Sequence, residues 1–244
     1  MTKLKLLLLA GAALALASPA HATLQVAFSV GGSAFSCSDG AACDGAVTPG
    51  IVAIGSETLN GVTVFGTFAA SQTGPDQLKA INFQITNASG STKTLLMAVG
   101  DDGFTGKASS FAGSAAGLWT NAPSTLINNA AYGFWVDGSN VQGAANSLDL
   151  PGTNILDFLT NHSTGALPNS FADTASAAFN ASGPFSMTMG ANFTLANGAS
   201  LSGNEQAIQA VPEPSTWLLG LTGFGLVGAL ALRKGRKDRL AFSA

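Results

Sequence analysis

The sequence predicts a mainly β chain: an antiparallel β-sandwich of the jelly-roll or immunoglobulin-like kind, with an N-terminal signal peptide and a C-terminal single transmembrane helix. Three observations carry this. Apolar residues recur at every second position through much of the middle of the chain, which is the period of a strand with one buried face. Turn-forming pairs separate these stretches. The two ends instead carry continuous apolar runs, each beside a group of basic residues.

Residues 1–22 read as a signal peptide. Lys3 and Lys5 form a charged n-region, Leu4 to Leu16 an apolar h-region, and Ala20-His21-Ala22 an A-x-A cleavage site, so that Thr23 begins the mature chain. Residues 23–205 are expected to form one sandwich domain, long enough to bury a core. Leu24, Val26, Phe28 and Val30 make the first period-two set, followed by Val62, Val64 and Phe68, by Ile81, Phe83 and Ile85, and by Leu95, Met97 and Val99. The longest set is Phe185, Met187, Met189, Ala191, Phe193 and Leu195. Asn60-Gly61, Gly74-Pro75-Asp76, Asn87 to Gly90, Asp102-Gly103 and Asn197-Gly198 supply the turns. Ala172 to Phe179 is a further candidate strand. Residues 106–131 show no clear period, Ile155, Phe158 and Leu159 are spaced for a short helix over 153–162, and residues 144–170 read as an insertion or long connection.

Residues 206–216 are expected to be a linker holding Pro212-Glu213-Pro214. Residues 217–232 contain no charge and are expected to cross a membrane. Sixteen residues give roughly 24 Å of helix against a hydrocarbon core of ~30 Å, a shortfall that an interfacial Trp217 and snorkelling Arg233 and Lys234 can make up. Residues 233–244 form a tail in which Arg233, Lys234, Arg236, Lys237 and Arg239 place the C-terminus on the cytoplasmic side.

The order of these parts resembles the PEP-CTERM sorting signal of Gram-negative bacteria: Val211-Pro212-Glu213-Pro214, a short Gly-rich apolar helix, then an Arg/Lys cluster. The resemblance implies an exported protein held transiently at the inner membrane. An exosortase then processes it near Pro212-Glu213-Pro214, and it is released to, or attached at, the cell surface. It also implies an association with exopolysaccharide. Asp238 to Ala244 extend the tail further than in many such signals.

Charge separates the domain from its tail. Residues 23–211 carry three lysines and eleven carboxylates, a balance of minus eight, whereas the whole chain stands at −3. Such a domain lacks the basic footprint that nucleic acid requires. The mature chain holds a single histidine, His162, beside Ser163 and Asp157, and no G-x-S-x-G motif, so no hydrolytic triad can be assembled from sequence. Cys37 and Cys43, exported into an oxidising space, are expected to be bridged, and no metal site or cofactor is expected. Asp101-Asp102-Gly103 reads as a turn, with a Ca²⁺ loop as the sharper alternative. A hydrolase would need clustered carboxylates, for example Asp101 with Asp102 or Asp137, and adjacent strand residues point to opposite faces, which argues against the first pair. Trp119 and Trp135, with Tyr132 and Phe134, are the candidates for a sugar-stacking platform. The expected function is therefore a non-catalytic envelope or matrix protein, with a carbohydrate-binding module as the alternative.

Overall fold

The structure, a computed structural model, describes residues 23–72, 76–105, 110–122, 128–143, 153–162, 168–180 and 183–210. The signal peptide with Ala20 and Ala22, the sorting motif Pro212-Glu213-Pro214, the membrane span and the basic tail lie outside these residues. Residues 1–210 form one compact unit and residues 211–244 a second.

The first unit contains strands β1 (Gln25–Val30), β2 (Ser33–Ser38), β3 (Ile51–Leu59), β4 (Val62–Ser71), β5 (Gln77–Asn87) and β6 (Lys93–Phe104). It continues with β7 (Ser110–Asn121), β8 (Asn129–Asp137), β9 (Thr153–His162), β10 (Asn169–Ala178), β11 (Phe185–Leu195) and β12 (Ser200–Ala210). They build two six-stranded sheets in the orders β2-β1-β6-β11-β8-β9 (sheet A) and β10-β7-β12-β5-β4-β3 (sheet B). Every pairing is antiparallel. The predicted sandwich is thus present, with hairpins β1–β2, β3–β4 and β4–β5 at one side and a chain that passes from sheet to sheet through most of its second half.

The period-two residues of both sheets point into one core that includes Phe28, Val64, Phe68, Ile85, Met97, Met189 and Phe193. Rings interdigitate across the gap. Phe28 of sheet A lies 6.1 Å from Phe68 of sheet B, Phe193 lies 5.5 Å from Phe83, and Phe134 lies 5.6 Å from Phe111. Centroid distances in this range are the attractive offset and edge-to-face geometries of aromatic pairs. Small residues make room for the rings. A Cβ on Gly203 would meet Phe83 Cζ at 2.6 Å and the Ala116 carbonyl oxygen at 2.9 Å, and one on Gly117 would collide with the Phe171 ring.

The turns follow their residue chemistry. Asn60 and Gly61 both take positive φ (48° and 81°), the combination of the tight hairpin turn that Asn-Gly favours. Asn60 then donates from Nδ2 to the Val30 carbonyl at 2.7 Å, tying the β3–β4 turn to the end of β1. At the same end, buried Asn87 donates from Nδ2 to the carbonyls of Leu195 and Ser91, both at 2.8 Å, and so joins the turns after β5 and β11.

Five expectations change. Ile81 does not share a face with Phe83 and Ile85, because the registers of β5 with both β4 and β12 skip one residue there. The bulge throws Ile81 out to 48 % exposure while Leu78 and Ala80 before it remain buried. Residues 153–162 form strand β9 and no helix. The β8–β9 register shifts twice, with Ile155 and Leu159 as the extra residues. Two bulges four residues apart break the alternation and leave apolar residues at helix-like spacing, while pairing with β8 sets the backbone. The period-poor stretch 106–131 contains β7 and the start of β8, which alternate glycine and alanine with bulkier residues so that hydropathy hides the period. The expected connection 144–170 contains β9 and the start of β10. The expected linker loses its first residues, because 206–210 pair with β5 or β7 as the end of β12.

Because Gly203 sits against a ring and a carbonyl, Gly203→Ala is expected to lower the unfolding free energy by about 1–3 kcal/mol. Urea denaturation checks this, and an unchanged midpoint would show that the Phe83 contact yields.

Candidate functional site

The loop from Ser38 to Gly50 is the most tightly braced irregular segment among the described residues. Cys37 and Cys43 are bridged, with Cα atoms 5.9 Å apart, as the sequence led us to expect. Asp44 sits at the loop's centre and accepts the backbone N–H groups of Ala46 at 2.8 Å, Ala53 at 2.9 Å and Gly40 at 3.1 Å. Burial alone would raise its carboxyl, but the three donors outweigh it and hold the group below the ordinary carboxylate value. Asp39 accepts the N–H of Gly50 at 2.6 Å.

Besides Asp76, which is 2 % exposed, two carboxyls are buried among the described residues. Asp101 continues the core-facing row Met97, Val99 on β6 and is 3 % exposed. It accepts the Asp102 N–H at 3.0 Å. Burial pushes its carboxyl up to about 7; the charges of Asp102 and Asp39 add to that, and bonds from the Asp102 N–H and the Gln72 side chain oppose it. Gln72 also donates to the Asp102 carbonyl at 2.8 Å, and Asn140 accepts the Gly103 N–H at 2.8 Å. Those bonds make Asp101-Asp102-Gly103 a braced strand end. Among the described residues no group of three His, Cys, Asp or Glu side chains is placed to hold a metal ion.

Glu205 is the second, and sequence reasoning missed it. It lies mid-strand on β12, opposite Ala80 of β5 and Ala115 of β7, and is 1 % exposed. Neither carboxylate oxygen has a hydrogen-bond partner among the described residues. Burial raises its pKa well above the ordinary value, so the group is held as the neutral acid. Burial likewise raises the Tyr132 hydroxyl of the opposite sheet. The alternation Leu201, Gly203, Glu205, Ala207 was the available signal, since it puts Glu205 on the core face.

The candidate aromatic platform does not assemble. Trp119 is fully buried in the core of sheet B, and Tyr132 and Phe134 also face the core. Trp135 is half-buried on the outer side of sheet A, paired with Thr188 of β11. Two stacking residues on the inside of one sheet and the outside of the other share no surface. Asp137 and Asp101 both flank β11, at Ser186 and Met187, but Asp101 is buried and Asp137 caps its own turn through the Ser139 N–H at 2.8 Å. His162 and Asp157 lie on the backbone of β9 opposite Asn129 and Gly133. Ser163 lies outside the described residues.

The outer side of sheet B is of a different character. The outward positions of β10, β7 and β12, including Thr174, Ser176, Ala112, Ser114, Asn204 and Gln206, carry no charge. Ala112, Gly113, Ser114, Thr174, Ala175, Ser176 and Gln206 line an open depression of about 470 Å³ there.

Comparison with known proteins gives one specific match. Residues 210–237 match the PEP-CTERM protein-sorting motif, the recognition that the tail's three ordered parts supported. No curated protein matches the chain. Among solved structures, the carbohydrate-binding module TmCBM61 with bound β-1,4-galactotriose is similar at 11 % identity and TM-score 0.32, over 66 % of this chain and 87 % of that one. The CBM22-1 xylan-binding domain of Paenibacillus barcinonensis Xyn10C is similar at 11 % identity and TM-score 0.29, over 67 % and 89 %. Infectious bursal disease virus Gx strain gives TM-score 0.32 at 10 % identity, over 79 % and 58 %.

Because Asp101 and Glu205 hold their protons more tightly in the folded state than in the unfolded one, the sign of their pH dependence is fixed. Their contribution is fully present below the unfolded carboxylate pKa and is lost as pH rises toward the folded value. For Asp101 the window is from the ordinary aspartate value of 3.8 to about 7, at up to about 1.4 kcal/mol per pH unit. Asp101→Asn and Glu205→Gln are each expected to flatten the fall in unfolding free energy between acid and neutral pH and to stabilise the protein at pH 8. Urea titrations at several pH values check this, and slopes equal to wild type in both variants would contradict it.

Proposed function

We propose that this chain is an exported, non-catalytic envelope or matrix protein whose route is set by its tail. It is synthesised with a signal peptide, pauses at the inner membrane with its C-terminus in the cytoplasm, and is cut by an exosortase near Pro212-Glu213-Pro214. It is then released or attached at the surface, in association with exopolysaccharide. The observation that carries this reading is the PEP-CTERM protein-sorting motif at residues 210–237. The apolar span is barely long enough for a bilayer and is rich in glycine, which suits a temporary hold. The disulfide suits a chain that works outside the reducing cytoplasm.

A carbohydrate-binding role is the second reading, favoured by the uncharged outward positions of β10, β7 and β12. Hydroxyl and amide side chains around an open depression offer hydrogen bonds to a neutral polyol without the desolvation cost of a charge. The reading no longer uses Trp119, which the core occupies.

Replacing Pro212-Glu213-Pro214 with alanines is expected to leave the precursor uncut at the inner membrane, as followed by pulse-chase; wild-type processing in this variant would sink the sorting role. For the second reading, the protein is expected to be retained by the host's own neutral polysaccharide, and Ser114→Arg or Gln206→Glu to weaken retention about tenfold. Equal retention of wild type and both variants would exclude this surface.

A further inference from the structure

β12 ends where the sorting motif begins. Ile208 pairs with Gln77 on one side and Ala112 on the other, and the ladder to β7 continues through Gln209↔Phe111 to Ala210↔Ser110. Pro212 has no N–H to donate and so cannot extend that ladder. A single residue, Val211, therefore separates the last rung of sheet B from Pro212-Glu213-Pro214.

The last rungs carry an added clamp. The Gln209 N–H donates to the Asp76 carbonyl at 2.9 Å. In return, the Asp76 N–H donates to Oε1 of the Gln209 side chain at 3.4 Å. Both residues are 2 % exposed. A buried amide side chain thus fastens the end of β12 to the residue just before β5, at the place where a terminal strand frays most readily. Truncation of that side chain raises the population of the peeled end and leaves the sorting motif untouched.

Given the sorting role proposed above, we propose that the sorting enzyme cuts this chain only after the last rungs of β12 have peeled from sheet B, and that Gln209 sets how often they do. A chain spans at most about 3.6 Å per residue, so Pro212 stands no more than about 11 Å from Gln209. A peptide bond enters an active centre with its neighbours extended and unpaired. Bonds on both sides of Ile208 and Gln209 deny the enzyme that segment while the strand is closed. Cleavage beside such a boundary follows the population of the locally opened state. After the cut, the end of β12 returns to its rungs, which withdraws the product from the enzyme.

The test is pulse-chase of the full chain in its host, following precursor and cut product. Gln209→Ala is expected to be processed about three- to tenfold faster than wild type, the factor that one hydrogen bond carries. Asn87→Ala removes a buried side chain near Thr86↔Ser200, at the other end of β12, and is expected to leave the rate unchanged. It separates peeling of the strand end from general destabilisation. A spacer of about six glycine and serine residues between Ala210 and Val211 is expected to match the Gln209→Ala rate and to cancel the effect of that substitution, because it supplies free chain without peeling. The alanine variant of Pro212-Glu213-Pro214 is run beside these, and its processing at the wild-type rate would mean that the sorting role itself fails. If that variant stays uncut while Gln209→Ala and the spacer both match wild type, the sorting role stands and the peeling step is overturned. An Asn87→Ala rate as high as that of Gln209→Ala overturns the part given to Gln209.

Discussion

The space between the two sheets is one side-chain layer deep, and the rest of the domain answers to that constraint. Face-to-face sheets lie about 10 Å apart, so rings from one side must fit into gaps on the other. Phe28 and Phe68 meet from opposite layers, while within sheet B Phe83 lies over its paired Gly203 and Phe171 over its paired Gly117. Glycine and alanine here are part of the packing. They fix where the large rings go, and a close-packed interior leaves little freedom to move them.

Against that background two of the buried acids, Asp101 and Glu205, stand out. Asp101 lies at a sheet end and retains bonds to its neighbour's backbone, so its burial is partly compensated. Glu205 lies between alanines in the middle of a strand, with both oxygens unpartnered among the described residues. A neutral carboxylic acid can be accommodated there at a moderate cost, a carboxylate only at a large one. The fold thus keeps Glu205 as a proton-bearing group facing Tyr132, and links the stability of the domain to pH.

The same economy of structure appears at the ends and edges. One end is secured by side chains that reach across turns: Asn87 joins two of them, and Asn60 fastens the β3–β4 turn to β1. The disulfide loop is held by Asp44 and Asp39 as much as by its sulfur bridge. Shortness or bulges interrupt three of the four strands that end the sheets, β2, β3 and β9. On the outer side of sheet B the outward positions of β10, β7 and β12 carry no charge.

The sequence by itself determined the β-sandwich class, the turn at Asn60-Gly61, the bridging of Cys37 and Cys43, and the sorting motif. Each is local: period-two hydropathy, a turn dipeptide, a short Cys spacing in an exported chain, and three consecutive tail segments. Tertiary structure alone decided which alternating residues stay in register. The bulge at Ile81 and the two in β9 follow from pairing with neighbouring strands, which no local window contains. It also decided that Trp119 belongs to the core and Trp135 to the outer side, since a strand's two faces are told apart only by what packs on them. Glu205 lies between these limits. Its core-facing position was legible from alternation, but its isolation depends on Ala80, Ala115 and Tyr132, which three other strands bring to it.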